Sequence, residues 1–135
     1  MSGVSLAIRA LLVPSPVTAA VGSRVYPYPL PSTTALPAIA IAMSAEDEEM
    51  LLQGASVYPQ TVVQVHCVAG SAKDAIELGE KVRDHLRDLA YVSADVPPEH
   101  ASFEKDAVDF TDFSDDLSTH RRVMSFNLRW RAEAP

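Results

Sequence analysis

Apolar and polar side chains alternate most cleanly from Thr61 to Ala69. Thr61, Val63, Val65, Cys67 and Ala69 fall on one side, and Val62, Gln64, His66 and Val68 on the other. This period of two predicts a strand. At Ser71 the period changes. Ala72, Ala75, Ile76, Gly79, Val82, Leu86 and Leu89 recur at spacings of three and four, which predicts an amphipathic helix running to about Ala90. Ser71 is placed to cap it, with Asp74 three residues on. Glu77, Glu80, Lys81, Asp84 and His85 are assigned to its outer surface. Gly79, inside the apolar stripe, costs about 1 kcal/mol of helix propensity and implies a close approach to the sheet. A second alternating strand, Val123 to Arg131, sets Met124, Phe126, Leu128 and Trp130 against Ser125, Asn127, Arg129 and Arg131.

The remaining elements are shorter. Val4, Leu6, Ala7, Ile8, Leu11 and Leu12 form a helical stripe stopped by Pro14 and Pro16. Val17 to Val21 predicts one further turn, ended by Gly22. Arg24 to Tyr26 reads as a short strand, followed by a proline-alternating extended stretch through Pro31. Pro37 to Met43 reads as a strand apolar on both faces. Ile39, Ile41 and Met43 lie on one face and Ala38, Ala40 and Ala42 on the other. The alanine face is the one expected to receive a helix, and the larger face needs a second cover, from this chain or another subunit. Ser44 to Ser56 reads as a long loop between strands, of the kind that carries function. Phe103 to Phe113 is expected to be extended and Ser114 to Thr119 to turn. The fold class is therefore α+β: a mostly antiparallel β-sheet with a long amphipathic helix and a short N-terminal helix packed on one face. At 135 residues, a single domain over 1–135 is expected.

Charge narrows the function. The net charge is −7, which disfavours free nucleic acid as a primary ligand. Acid gathers at Glu46, Asp47, Glu48 and Glu49 and again from Asp106 to Asp116, while Arg121, Arg122, Arg129 and Arg131 collect near the end. Such segregation favours contact with a complementary patch. The single cysteine, Cys67, allows no intrachain disulfide. No apolar run reaches the ~18 residues of a membrane span, and the N-terminal stretch lacks the pattern of a signal peptide. No nucleophile elbow, phosphate loop or dinucleotide fingerprint is present. His66 and Cys67 are adjacent strand residues pointing to opposite faces, so they make no zinc pair. The aspartates from Asp109 to Asp116 lack the order and glycine of a calcium loop. His66 with Asp109, and His120 with Asp115, are the pairs a catalytic reading would need. No catalytic, cofactor or metal residue is assigned.

Five segments in order resemble those of the tail terminator or tail-completion proteins of long-tailed bacteriophages, prophages and gene-transfer particles. They are the N-terminal helix leading to Val21-Gly22-Ser23-Arg24-Val25-Tyr26, the strand Pro37-Ala38-Ile39-Ala40-Ile41, and the strand Val63-Gln64-Val65-His66-Cys67-Val68. The helix Ala72 to Leu89 follows, with Ala75-Ile76 and Val82-Arg83-Asp84-His85-Leu86. Last is His120 ahead of Val123 to Trp130. The resemblance implies an α+β structural protein of the virion tail, assembled in the bacterial host cytoplasm. It implies a homo-oligomer, a hexameric ring that caps the tail tube and stops its polymerisation. It further implies contact with the tail tube protein and the head connector or stopper, DNA passing through the lumen, and neither enzyme activity nor cofactor. Another head–tail joining protein, a stopper or neck subunit, is the alternative, and a small ligand-binding α+β domain the more distant one.

Within that picture, six copies at −7 each carry about −42, so apolar burial and local charge pairing must hold a ring together. The candidate contacts are Ile39, Ile41 and Met43; the acidic block Glu46, Asp47, Glu48 and Glu49; Met50, Leu51 and Leu52; and Arg121, Arg122, Arg129 and Arg131.

Overall fold

A computed structural model describes residues 3–47, 50–51, 54–55, 60–89, 102–115 and 117–129. Helix α1 (Gly3–Leu11) and helix α2 (Pro16–Val21) open the chain. Ser15 caps α2, its side chain accepting from Val17 N and its backbone N–H donating to Thr18 Oγ1. Gly22 ends α2 at φ +61°, where a side chain would be strained. Strand β1 (Val25–Pro27) follows, then β2 (Ala38–Asp47), a two-stranded hairpin of β3 (Met50–Leu51) and β4 (Gly54–Ala55), and β5 (Gln60–Ala69). Helix α3 (Ala72–Leu89) leads to β6 (Ser102–Phe113) and β7 (His120–Arg129).

The main sheet has the order β1-β2-β5-β7-β6. It is antiparallel except for the parallel pair β1–β2. The alternation read in the sequence sorts its faces. The rows Ile39–Cys67–Arg122, Ile41–Val65–Met124 and Met43–Val63–Phe126 look toward the helices. Their apolar members other than Met43 join Ala7, Ala10, Leu11, Val17, Leu78, Val82 and Leu86 in one buried core. The rows Ala38–Val68–Arg121 and Ala40–His66–Val123 look the other way.

This arrangement reverses one expectation. The helices cover the isoleucine face of β2, and the alanine face belongs to the helix-free side, where the segment from Tyr28 to Leu36 lies over Ala40. The larger side chains supply more apolar area for the helices to bury, and this outweighs the closer approach that alanine allows. The loop expected from Ser44 to Ser56 is also partly strand. β2 continues to Asp47, with a register shift between Met43 and Ala45, and the β3–β4 hairpin follows beyond the Asp47–Gln60 row. The expected contacts Glu48, Glu49 and Leu52 lie outside the described residues.

Two edges bound the sheet. On β1, Ile39 N donates to Arg24 O and Tyr28 N to Ile41 O, so the even-numbered residues face β2. The outward donors are then Val25 N, which is spent on Ser23 O at 2.8 Å, and Pro27, which has none. Strand β6 is the other edge. Its twelve residues slip register against β7 between Lys105 and Asp109.

Helix α3 is fixed at both ends of its buried face. Ser71 Oγ accepts from Asp74 N, as the capping pattern predicts. Leu78 joins Ala75, Val82 and Leu86 in the core, whereas Ile76 and Ala72 of the predicted stripe are exposed. His85, assigned to the outer surface, instead donates from Nε2 to Ala10 O at 2.8 Å and ties α3 to the end of α1.

Candidate functional site

Arg122 is the most constrained charged side chain among the described residues. It emerges from β7 on the helix side, 7% exposed, directly under Gly79. Its Nε and Nη2 donate to the two carboxylate oxygens of Asp109 at 2.9 and 2.7 Å. Its Nη1 donates to Glu80 Oε1 at 2.8 Å and to Ile76 O at 3.2 Å. The bidentate hydrogen bond from Arg122, reinforced by Lys105, holds Asp109 at about 2. The same arginine lowers Glu80. A β-carbon on residue 79 would sit 2.5 Å from Arg122 Cδ. The glycine that the sequence marks as a close approach therefore makes room for an arginine rather than for the sheet backbone. Arg122 is a clamp joining α3 to β6 and β7, and it has no freedom to serve a partner.

Ile39 and Ile41 are likewise withdrawn from the contact set, because both are buried under this chain's own helices. Met43, on the same face but past the helices, is 54% exposed and keeps a contact role open. Glu46 and Asp47 lie on β2 and Met50 and Leu51 on β3, at one end of the sheet. The row Asp47–Gln60–Arg129 puts Arg129 at that same end. Arg131 lies outside the described residues.

Arg121 points to the helix-free face. Its Nη2 donates to Asp112 Oδ2 at 2.8 Å and its Nη1 to His66 Nδ1 at 3.4 Å. His66 is buried, and among the described residues its Nε2 has no partner. Burial, and then the nearby Arg121 charge, lower its pKa, so the ring is neutral. The Tyr28 ring lies 4.9 Å from it, centroid to centroid. These side chains line a half-open groove of about 450 Å³ between the Tyr28–Leu36 segment and the Phe113 end of the β6–β7 hairpin. Nothing in the sequence signals this groove, because bringing His66 to Arg121 and Asp112 requires knowing that β5, β7 and β6 are neighbours.

The pairing of His66 with Asp109 does not form, since the two project from opposite faces of the sheet. Asp109 and Asp112 are each engaged by an arginine. Among the described residues, no three His, Cys, Asp or Glu side chains gather to hold a metal ion. Cys67 is fully buried and burial pushes its thiol up to about 12, far from a reactive thiolate. Among the described residues, no helix is long and apolar enough to cross a membrane.

A family model described as tail completion protein gp17 matches residues 6–132. A comparison with curated proteins finds no significant match. Among solved structures, the chain is similar to one in the virion of a native gene transfer agent particle. The TM-score is 0.60 at 18% identity, and the match covers 97% of this chain and 96% of that one. At that identity the likeness speaks to fold, and it extends over the whole α+β arrangement.

Proposed function

Since the chain belongs to the tail completion protein gp17 family and is a structural protein of the phage tail, we propose that it closes the tail tube as a ring of six copies. In this reading the whole of 1–135 works as one domain. The ring ends polymerisation of the tube protein and offers its opposite side to the head connector, with DNA passing through its lumen. The observation that carries the reading is the family match, which leaves only a few residues at either end outside it.

The surface of a single copy is consistent with assembly. Met43, Phe110 and Phe113 are about half exposed or more, and large side chains left open in this way mark contact surfaces. With Arg121 and Arg122 occupied internally, the cations of the contact set left for a neighbour's acidic block are Arg129 and Arg131. We assign Glu46, Asp47, Glu48 and Glu49 of one copy to them, with Met50, Leu51 and Leu52 packing alongside.

The test is assembly in vitro. Purified tube protein is polymerised with and without this chain, tube lengths are measured by electron microscopy, and the cap is counted by native mass spectrometry. Tubes of limited length bearing six copies at one end are expected. Unlimited elongation in its presence overturns the capping role. Reversing the charges at Glu46, Asp47, Glu48 and Glu49 should break the ring, and an intact ring would remove that block from the interface.

A further inference from the structure

The helix-free face carries a buried donor that finds no acceptor among the described residues. Arginine only donates, so the Arg121 contact makes His66 Nδ1 an acceptor and puts the proton of the neutral ring on Nε2. A buried N–H without an acceptor carries an uncompensated desolvation cost, which a bound acceptor would recover. His66 lines the groove between the Tyr28–Leu36 segment and the hairpin end, whose other walls include Leu30, Leu36, Val68 and Phe113.

We propose that this groove binds an extended, uncharged segment of another virion protein, one of whose backbone carbonyls accepts the Nε2–H of His66. Three observations select that occupant. The formal charges in the groove, Arg121 and Asp112, pair with each other at 2.8 Å, so the site offers no net charge to recruit an ionic ligand. Tyr28 and Phe113 stand at its rim, 52% and 62% exposed, and prolong the apolar surface beyond what a small metabolite would cover. This chain's own uncharged extended stretch, Pro27 to Pro31, already forms part of the wall. In a second copy the same stretch is tied to its own sheet, Tyr28 N donating to Ile41 O, and is not free to enter the groove. Tyr28 covers the His66 ring and engages Arg121, so its side chain must give up that contact and turn for the carbonyl to enter.

The proposal rests on the tail-closing reading only in supposing that the chain meets other virion proteins. Its test is independent of tube capping. Peptides of about ten residues tiling the structural proteins of the same virion, and this chain itself, are titrated against the isotope-labelled protein while the ring signals of His66 are followed by NMR. An uncharged peptide from another virion protein should shift the Nε2 proton into the hydrogen-bonded range. Its binding should weaken at least tenfold in Phe113→Glu, which changes an exposed rim position, with the spectrum of the helix side unchanged. The proposal fails if no peptide moves the His66 ring, if Phe113→Glu binds as well as the parent, or if the peptides that bind are charged or come from this chain. Tube capping can fail with the groove result intact, and the reverse, so the two outcomes separate.

Discussion

Replacing Gly79 by alanine sets two opposed effects against each other. In a free helix the change is favourable by about 1 kcal/mol. Here the new β-carbon would lie 2.5 Å from Arg122 Cδ and 3.1 and 3.2 Å from its Nη1 and Nε. A long side chain can usually swing away, but this one is pinned by Asp109, Glu80 and the Ile76 carbonyl. Overpacking of this kind costs about 1–3 kcal/mol, and pulling a buried guanidinium from its carboxylates costs about 3–5 kcal/mol if the pair breaks outright. Subtracting the helix gain leaves about 0–2 kcal/mol for overpacking alone and about 2–4 kcal/mol if the pair breaks, so Gly79→Ala should lose on the order of 1–3 kcal/mol, read from the midpoint of a urea unfolding curve at constant slope. The decisive comparison is made in an Arg122→Ala background, where the obstructing Cδ and the charge are both gone. There the same alanine should be neutral or stabilising, a reversal of sign that propensity alone cannot give. A Gly79→Ala protein as stable as its parent would refute the clamp.

Two further outcomes follow from the same chemistry. Asp109 sits at about 2 against an ordinary 3.8, a depressed carboxyl, so its contribution is complete above about pH 4 and is lost as pH falls toward 2; Asp109→Asn should flatten that limb of a melting-temperature profile and converge with the parent below pH 2. Cys67, with its thiol near 12 and its side chain sealed in the core, should resist a thiol reagent in the native protein and react fully in denaturant; prompt labelling of the native protein would mean that the sheet opens at β5.

Element order is legible in the sequence because each element carries its own period. The switch from two to 3.6 at Ser71, the stops at Pro14, Pro16 and Gly22, and the alternation from Val123 all correspond to elements of the structure. What is not legible depends on which strands are neighbours. Arg122 reads as one of several cations near the end of the chain, yet it is buried, because Asp109 and Glu80 reach it from two other elements. Ile39 and Ile41 read as surfaces awaiting a partner because nothing in their own segment says that α1 returns over them. Three- and four-residue spacings admit either Ile76 or Leu78 on the flank of the α3 stripe, and the direction of the sheet decides for Leu78. The groove requires all of these at once.

The two borders of the sheet have unequal consequences for contacts between copies. Runaway stacking of strands from copy to copy needs a receptive border on each side, since every added copy must both accept and be accepted. At β1 the chain has spent one outward donor on Ser23 and has none at Pro27. Among the described residues, β2 runs on from Ala42 to Asp47 past the end of β1, and β6 forms the opposite border. Strand addition to this sheet is thereby directed away from β1, toward the far end of β2 and toward β6.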